Sequence, residues 1–276
     1  MKFLLSISLA LIGFNFFVWV DIARVSLATG TDIYFLNVGQ GDSSLINFAD
    51  GTRMLTDGGK DKSVLFELDK ILPNSRTINL VMVTHPQLDH FGGLIDVIDR
   101  FKIGAFIYNG EEAESDAWIA LKDKLKRKNI KTFILDSGDV INYKNNKLFI
   151  LSPDRNTKDK DLNENSMITL LESEGIKALF TGDIGDKKEA ELIDKYNLDI
   201  DVLKVPHHGS KYSSSAEFLK ELTPSVSVVQ VGKNSYGHPN PSTLKRIASV
   251  GSSIYRNDSD GIIRINIDDG LIKVFK

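Results

Sequence analysis

Short apolar runs alternate with segments of helical period, and Gly, Pro or Asp marks most of the switches. DIYFLNV at Asp32–Val38 alternates only in part and predicts a strand covered on both faces. Ser43–Phe48 and Thr52–Thr56 predict a hairpin around Ala49-Asp50-Gly51. Lys62–Leu72 carries Val64, Leu65, Leu68, Ile71 and Leu72 on one helical face. Val81–Val83 predicts a strand, and a helix follows from Leu94 to Phe101. Further strands are predicted over Ile103–Tyr108, Thr132–Leu135, Val140–Asn142 and Leu148–Leu151, with a helix over Ala113–Lys128 between the first two.

Beyond the polar loop Pro153–Asn163 the pattern repeats in outline. Met167–Glu172 and Ile176–Thr181 predict a second hairpin, Lys187–Tyr196 a helix, and Val202–Val205 a strand. Ala216–Leu222 and Ser242–Val250 predict helices on either side of a strand at Val226–Val231. Ile262–Ile267 and LIKVF close the chain as alternating strands. Strands followed by helices, twice over, imply two sheets packed face to face with helices outside.

The N-terminus follows neither period. Phe3–Val20 has no charge in 18 residues. As a helix it would span roughly 27 Å, close to the thickness of a hydrocarbon core. Its aromatic end (Phe16, Phe17, Trp19) suits an uncleaved anchor, whereas Ser26-Leu27-Ala28 suits a signal-peptide cleavage site. We expect residues 1–28 to be a signal anchor or signal peptide and residues 29–276 a single domain. That domain would be membrane-tethered and extracytoplasmic, or secreted after cleavage.

Composition narrows the chemistry. The chain of 276 residues has a net charge of −3, so no global basic excess marks a nucleic-acid binder. Lys122, Lys124, Lys126, Arg127 and Lys128 crowd one helix face, which reads first as a solvated face. There is no cysteine, so any metal must be held by His, carboxylate or amide groups.

All five histidines fall in three loop-like stretches: His85 and His90 in THPQLDH, His207 and His208 in PHHGS, His238 in YGHPNP. Histidines kept for packing would be scattered. Clustering after predicted strands is what a metal site assembled from several loops requires. Asp57, Asp89 and Asp183 follow strands too, and a carboxylate such as Asp183 can bridge two dications.

The ordered motifs FLNVGQGDSSLI, TDGG, THPQLDHFGGL, NENSMITL, FTGDIG, VLKVPHHGS, YGHPNP and YRNDSDGIIRI resemble the metallo-β-lactamase superfamily, and within it the hydrolase domains of ComEC-type competence proteins. The resemblance runs from Asp32 to Phe275. It implies an α+β fold, a four-layer αββα sandwich, here preceded by one N-terminal apolar helix. It implies one or two divalent ions, zinc or manganese, at one sheet edge. His85 would serve one ion, Asp89, His90 and His207 the other, with Asp183 between them and Asp57 orienting ligands. Position alone does not separate His207 from His208; the reading here puts His207 on the metal and His208 near substrate.

Two departures weaken one half of that site. Gln87 stands where the superfamily has His, and an amide is a poor transition-metal ligand. Asn165-Ser166 stands where the superfamily has a further His. These residues are expected to be weak ligands or outer supports.

The resemblance further implies a hydrolase, best read as a phosphodiesterase or nuclease acting on DNA outside the membrane. A metal-bound hydroxide would attack phosphorus, with Asp89, His208 and His238 as catalytic candidates. Lys204, Lys211 and Lys233 are expected to bind phosphate, and a separate DNA-uptake channel is an expected partner. Two other readings compete: a hydrolase of small esters, lactones or phosphodiesters, and a non-catalytic tethered binding protein with a decayed site.

Overall fold

The computed structural model describes residues 11–16, 30–156 and 159–276. Residues 11–16 are helical; the remainder of the apolar N-terminal run lies outside the described residues. Among the described residues no helix is long and apolar enough to cross a membrane.

Among the described residues, fifteen strands build two sheets. In the first half of the chain these are β1 (Thr31–Phe35), β2 (Ser44–Asn47), β3 (Arg53–Thr56), β4 (Thr77–Met82), β5 (Lys102–Tyr108) and β6 (Lys131–Ile134). In the second they are β7 (Val140–Tyr143), β8 (Asn146–Ser152), β9 (Ile168–Ser173), β10 (Ile176–Phe180), β11 (Val202–Lys204), β12 (Val226–Val229) and β13 (Ser253–Arg256). The closing hairpin is β14 (Ile263–Asp268) and β15 (Leu271–Phe275). One sheet runs β15-β14-β1-β2-β3-β4-β5-β6, the other β13-β12-β11-β10-β9-β8-β7.

Three apolar layers follow from this stacking. Ile33, Phe35, Ile46, Met82, Phe180 and Val228 fill the space between the sheets, where Phe35 and Phe180 stack at 6.0 Å. Leu68, Leu94, Val97, Trp118 and Leu121 bind the helices Ser63–Ile71, Leu94–Arg100 and Asp116–Arg127 to the outer face of the first sheet. Leu192, Phe218, Leu219 and Ile247 do the same for Asp186–Lys195, Ala216–Leu222 and Pro241–Ser249 on the second. The order is helix, sheet, sheet, helix.

The predicted elements sit close to the observed ones, and three of the differences have a plain physical cause. β4 begins at Thr77, because exposed Thr77 and Asn79 hide the strand's start among polar residues. A short helix, Leu88–Phe91, lies inside the His-rich loop. β13 has only two apolar residues and none of its four is buried; it forms because it can pair with β12 in parallel at the sheet edge.

The strands that matter for chemistry are parallel. β3, β4, β5 and β6 run the same way, as do β10, β11, β12 and β13. Their C-terminal ends therefore open on one edge in each sheet, and loops leaving those ends can meet.

Candidate metal centre

Asp57 follows β3, His85 and His90 follow β4, Asp183 follows β10, and His207 and His208 follow β11. The first three belong to one sheet and the last three to the other. Asp57, His207 and His208 adopt left-handed backbone angles, φ 58°, 49° and 53°. A non-glycine residue there costs roughly 1 kcal/mol or more, so three at one edge imply a geometry held by its surroundings.

The imidazoles are oriented from behind. His90 Nδ1 lies 2.8 Å from Asp57 Oδ2, and Asp57 is itself held by Thr84 N–H and Oγ1, both at 2.8 Å. His208 Nδ1 donates to the Gln230 carbonyl at 2.9 Å. His85 Nδ1 lies 3.1 Å from Thr84 Oγ1 and 3.3 Å from Ser166 Oγ. With each Nδ1 engaged, each Nε2 faces inward, the arrangement that fixes metal-binding histidines elsewhere.

What the Nε2 atoms face is each other and Asp183. His90 Nε2 is 3.2 Å from Asp183 Oδ2, and His208 Nε2 is 3.1 Å from the same oxygen. Asp89 Oδ2 lies 3.7 Å from His208 Nε2. Potential ligand atoms of His85, His90 and Asp183 lie within 4.8 Å of one another; so do those of Asp89, His90 and His208, and those of Asp42, Asp183 and His208. His85 Nε2, His90 Nε2, His208 Nε2 and Asp183 Oδ1 are buried and make no well-directed hydrogen bond among the described residues; the approaches of His90 and His208 to Asp183 Oδ2 are ion-pair contacts. Buried polar atoms are rarely left unpaired, because desolvation costs about 1–3 kcal/mol each. Shared among neighbouring groups of three, and all nitrogen or carboxylate oxygen, they fit a divalent transition ion.

Charge is arranged accordingly. Burial and the neighbouring His90 push the His85 imidazole down to about 3, so it stays neutral. Burial opposes charge on His90 and His208, but Asp183 with Asp57 or Asp42 outweighs it and lifts both well above the ordinary histidine value. Burial likewise opposes charge on Asp183, yet His208 and His90 hold its carboxyl well below the usual range. Asp89 is lowered to about 2 by His208 and His90 against burial.

The remaining expected residues fall into place unevenly. His208, 2 % exposed, contributes to two of the ligand groups, whereas His207 contributes to none and lines the cleft above. The geometry therefore places His208, and not His207, among the clustered donors. The reason is the left-handed turn at both residues, which sends consecutive side chains to different sides. Gln87 lines the cleft at the start of helix Leu88–Phe91. Ser166 Oγ reaches His85 and accepts from the Asp183 N–H at 3.2 Å. Asn165 does not reach the ligands: its amide accepts from Asp159 N–H and donates to Asp159 O, tying the preceding loop.

Lys204 needs correction as a phosphate binder. It is 2 % exposed, ion-paired to Asp42, donates to the Gly182 carbonyl at 2.8 Å and lies 3.7 Å from Asp183 Oδ1. A strand residue beside the ligands points into the sheet junction, so its ammonium neutralises buried carboxylates. Lys211 sits over the Tyr212 ring at 4.7 Å and is absent from the cleft wall. Lys233 does line the cleft, joined by Lys60, which sequence reasoning passed over. On the surface helix, Lys124 and Lys128 pair with Asp99 and Lys122 with Glu112, in keeping with a solvated face.

Asp42 was also missed. It is buried against Lys204, and its Oδ1 lies 3.2 Å from His208 Nδ1. In the sequence it reads as the end of a GQGD turn; only its position before β2, on the metal edge, reveals it.

Above the ligands a cleft of about 770 Å³ opens, walled by Asp89, His207, His238, Lys60, Lys233 and Tyr236 among others. His238 and His207 rings are 5.6 Å apart, and burial holds both below the ordinary histidine value.

Comparison with known proteins agrees with this geometry. The chain is 24% identical over 258 residues to ComE operon protein 3 of Bacillus subtilis, covering 86% of this chain and 33% of that protein. It is 34% identical over 119 residues to competence protein ComA of Neisseria gonorrhoeae, covering 42% of this chain and 17% of that one. The chain thus spans a third or less of the length of these relatives. Among solved structures, Tm1679, a metal-dependent hydrolase of the beta-lactamase superfamily, superposes with a TM-score of 0.59 at 16% identity, over 87% of this chain and all of that one. The family model of the metallo-beta-lactamase superfamily matches residues 36–233. With two sheets between helix layers, and ligand-type side chains gathered where parallel strands end, the chain belongs to the metallo-β-lactamase superfamily and is similar to its competence-protein members.

Proposed function

We propose that the chain is a metal-dependent phosphodiesterase that cleaves DNA outside the cytoplasmic membrane. In this reading residues 29–276 form the hydrolase domain and residues 1–28 attach it to the membrane or direct its export. A separate uptake channel would bring DNA to it. The observation that carries the reading is the pair of overlapping ligand groups, His85 with His90 and Asp183 and Asp89 with His90 and His208, beneath a cleft rimmed by Lys60 and Lys233.

His85 and Asp183 would hold one ion, zinc or manganese, and Asp89, His90 and His208 would hold a second. Such an ion, when bound, polarises a phosphoryl oxygen and makes water a nucleophile near neutral pH. The chain's own residues do the rest. Asp57 and Gln230 hold the imidazoles at fixed angles. Lys60 and Lys233 place positive charge where a phosphodiester backbone would enter. His238, beside His207 on the cleft wall, would bind the phosphate or protonate the departing oxygen.

The test uses the purified full chain, stripped by chelator and reloaded with manganese or zinc. Cleavage of labelled single-stranded DNA should require the ion and fall by at least about 100-fold in Asp183→Ala. Turnover of a chromogenic ester without any cleavage of DNA would move the reading to small-molecule hydrolysis.

A further inference from the structure

On the rim of the cleft, Tyr236 is 75 % exposed. One face of its ring stacks on His238, centroids 5.9 Å apart and planes 25° from parallel. The segment carrying it is pinned from below. Asn234 Oδ1 accepts from the Tyr236 and His238 N–H groups at 3.0 and 3.1 Å, and Asn234 Nδ2 donates to the His238 carbonyl at 2.8 Å. The ring is therefore a presented surface, with its place set by backbone hydrogen bonds.

We infer that Tyr236 is a base-stacking platform: an unpaired nucleobase continues the Tyr236–His238 stack, and the site thereby selects single-stranded polynucleotide over compact phosphodiesters. The inference rests on the phosphodiesterase reading above and specifies its substrate. Three features support it together. A flat aromatic face is open to solvent while its other face is already stacked. Lys60 and Lys233 line the same cleft and suit the charged backbone attached to such a base. Paired bases expose no such face, so the platform discriminates by strandedness with little regard to sequence.

The test compares the full chain with Tyr236→Ala, Tyr236→Phe and Tyr236→Trp. Substrates are a single-stranded oligonucleotide and the same backbone with consecutive abasic sites. The wild-type protein should prefer the base-bearing strand by roughly tenfold or more in kcat/KM. Tyr236→Ala should lose that preference, while Phe and Trp keep it. Binding gives a second readout that needs no turnover: 2-aminopurine in the strand should be quenched by the metal-free wild-type chain and not by Tyr236→Ala. Equal preference and equal quenching in wild type and Tyr236→Ala would overturn the platform while leaving the nuclease reading intact. No cleavage of either strand by metal-loaded wild type would overturn both.

Discussion

At the residue scale, the two neighbouring histidines of PHHGS occupy different places. His208 is buried, with its Nδ1 on the Gln230 carbonyl and its Nε2 against Asp183; His207 stands on the cleft wall. His208→Ala should lower metal content or weaken affinity by roughly 10-fold or more, as loss of a ligand or its support does. His207→Ala should retain the metal and lose rate. Metal analysis of both variants, with kinetics, checks the assignment; metal loss confined to His207→Ala would reverse it. The alternation of roles across one peptide bond depends on two left-handed residues in succession, which no side-chain pattern announces.

At the element scale, the site depends on how closely two loops approach. The His90 carbonyl accepts from Gly58 N–H at 2.6 Å, and the Gly59 carbonyl accepts from Gly93 N–H at 3.0 Å. A Cβ on Gly93 would fall 2.2 Å from the Gly58 carbonyl oxygen. The glycines of TDGG and HFGG are thus spacing residues for one another, and they bring Asp57 against His90. Gly93→Ala should destabilise by about 1–3 kcal/mol, as overpacking against backbone does. It should also weaken metal binding by separating the Asp57–His90 pair. Chemical denaturation beside metal titration tests both effects; unchanged stability would mean the loops can part without cost.

For the whole molecule, the ligands tie one sheet to the other. Asp57, His85 and His90 come from the first sheet's edge and Asp183 and His208 from the second's, so an ion there binds the native pairing of sheets and not the unfolded chain. A ligand at 100 times its dissociation constant adds about 2.7 kcal/mol. Chelation should therefore lower Tm, and the loss should depend on pH. In the metal-free protein, His90 and His208 have raised values in the fold, so their contribution is complete below about 6.5, the ordinary histidine value, and fades as pH rises through the raised values. Metal must displace those protons, so its own stabilisation grows over the same range. Tm with metal minus Tm without it should widen from pH 6 to 8; a constant difference would show that the imidazoles carry no protons to lose.

Much of this was legible before any coordinates. Hydrophobic period marked the strand–helix alternation, and the ordered motifs marked the superfamily and the residue types, His and Asp after particular strands, that cluster at the sheet edge. Lys204 shows the limit. In the sequence it is a lysine beside a histidine pair; in the fold it is a buried counter-cation to Asp42 and Asp183. Asp42 and Lys60 show it from the other side, being ordinary turn residues until β3, β4, β10 and β11 end on one edge. The return of β14 to pair with β1, joining chain ends more than 200 residues apart, was likewise open until the sheets formed. Local pattern determines which element forms and which residues can bind a metal. Which of them meet, and which face water, is decided by the stacking of two sheets, a contact between segments that share no sequence neighbourhood.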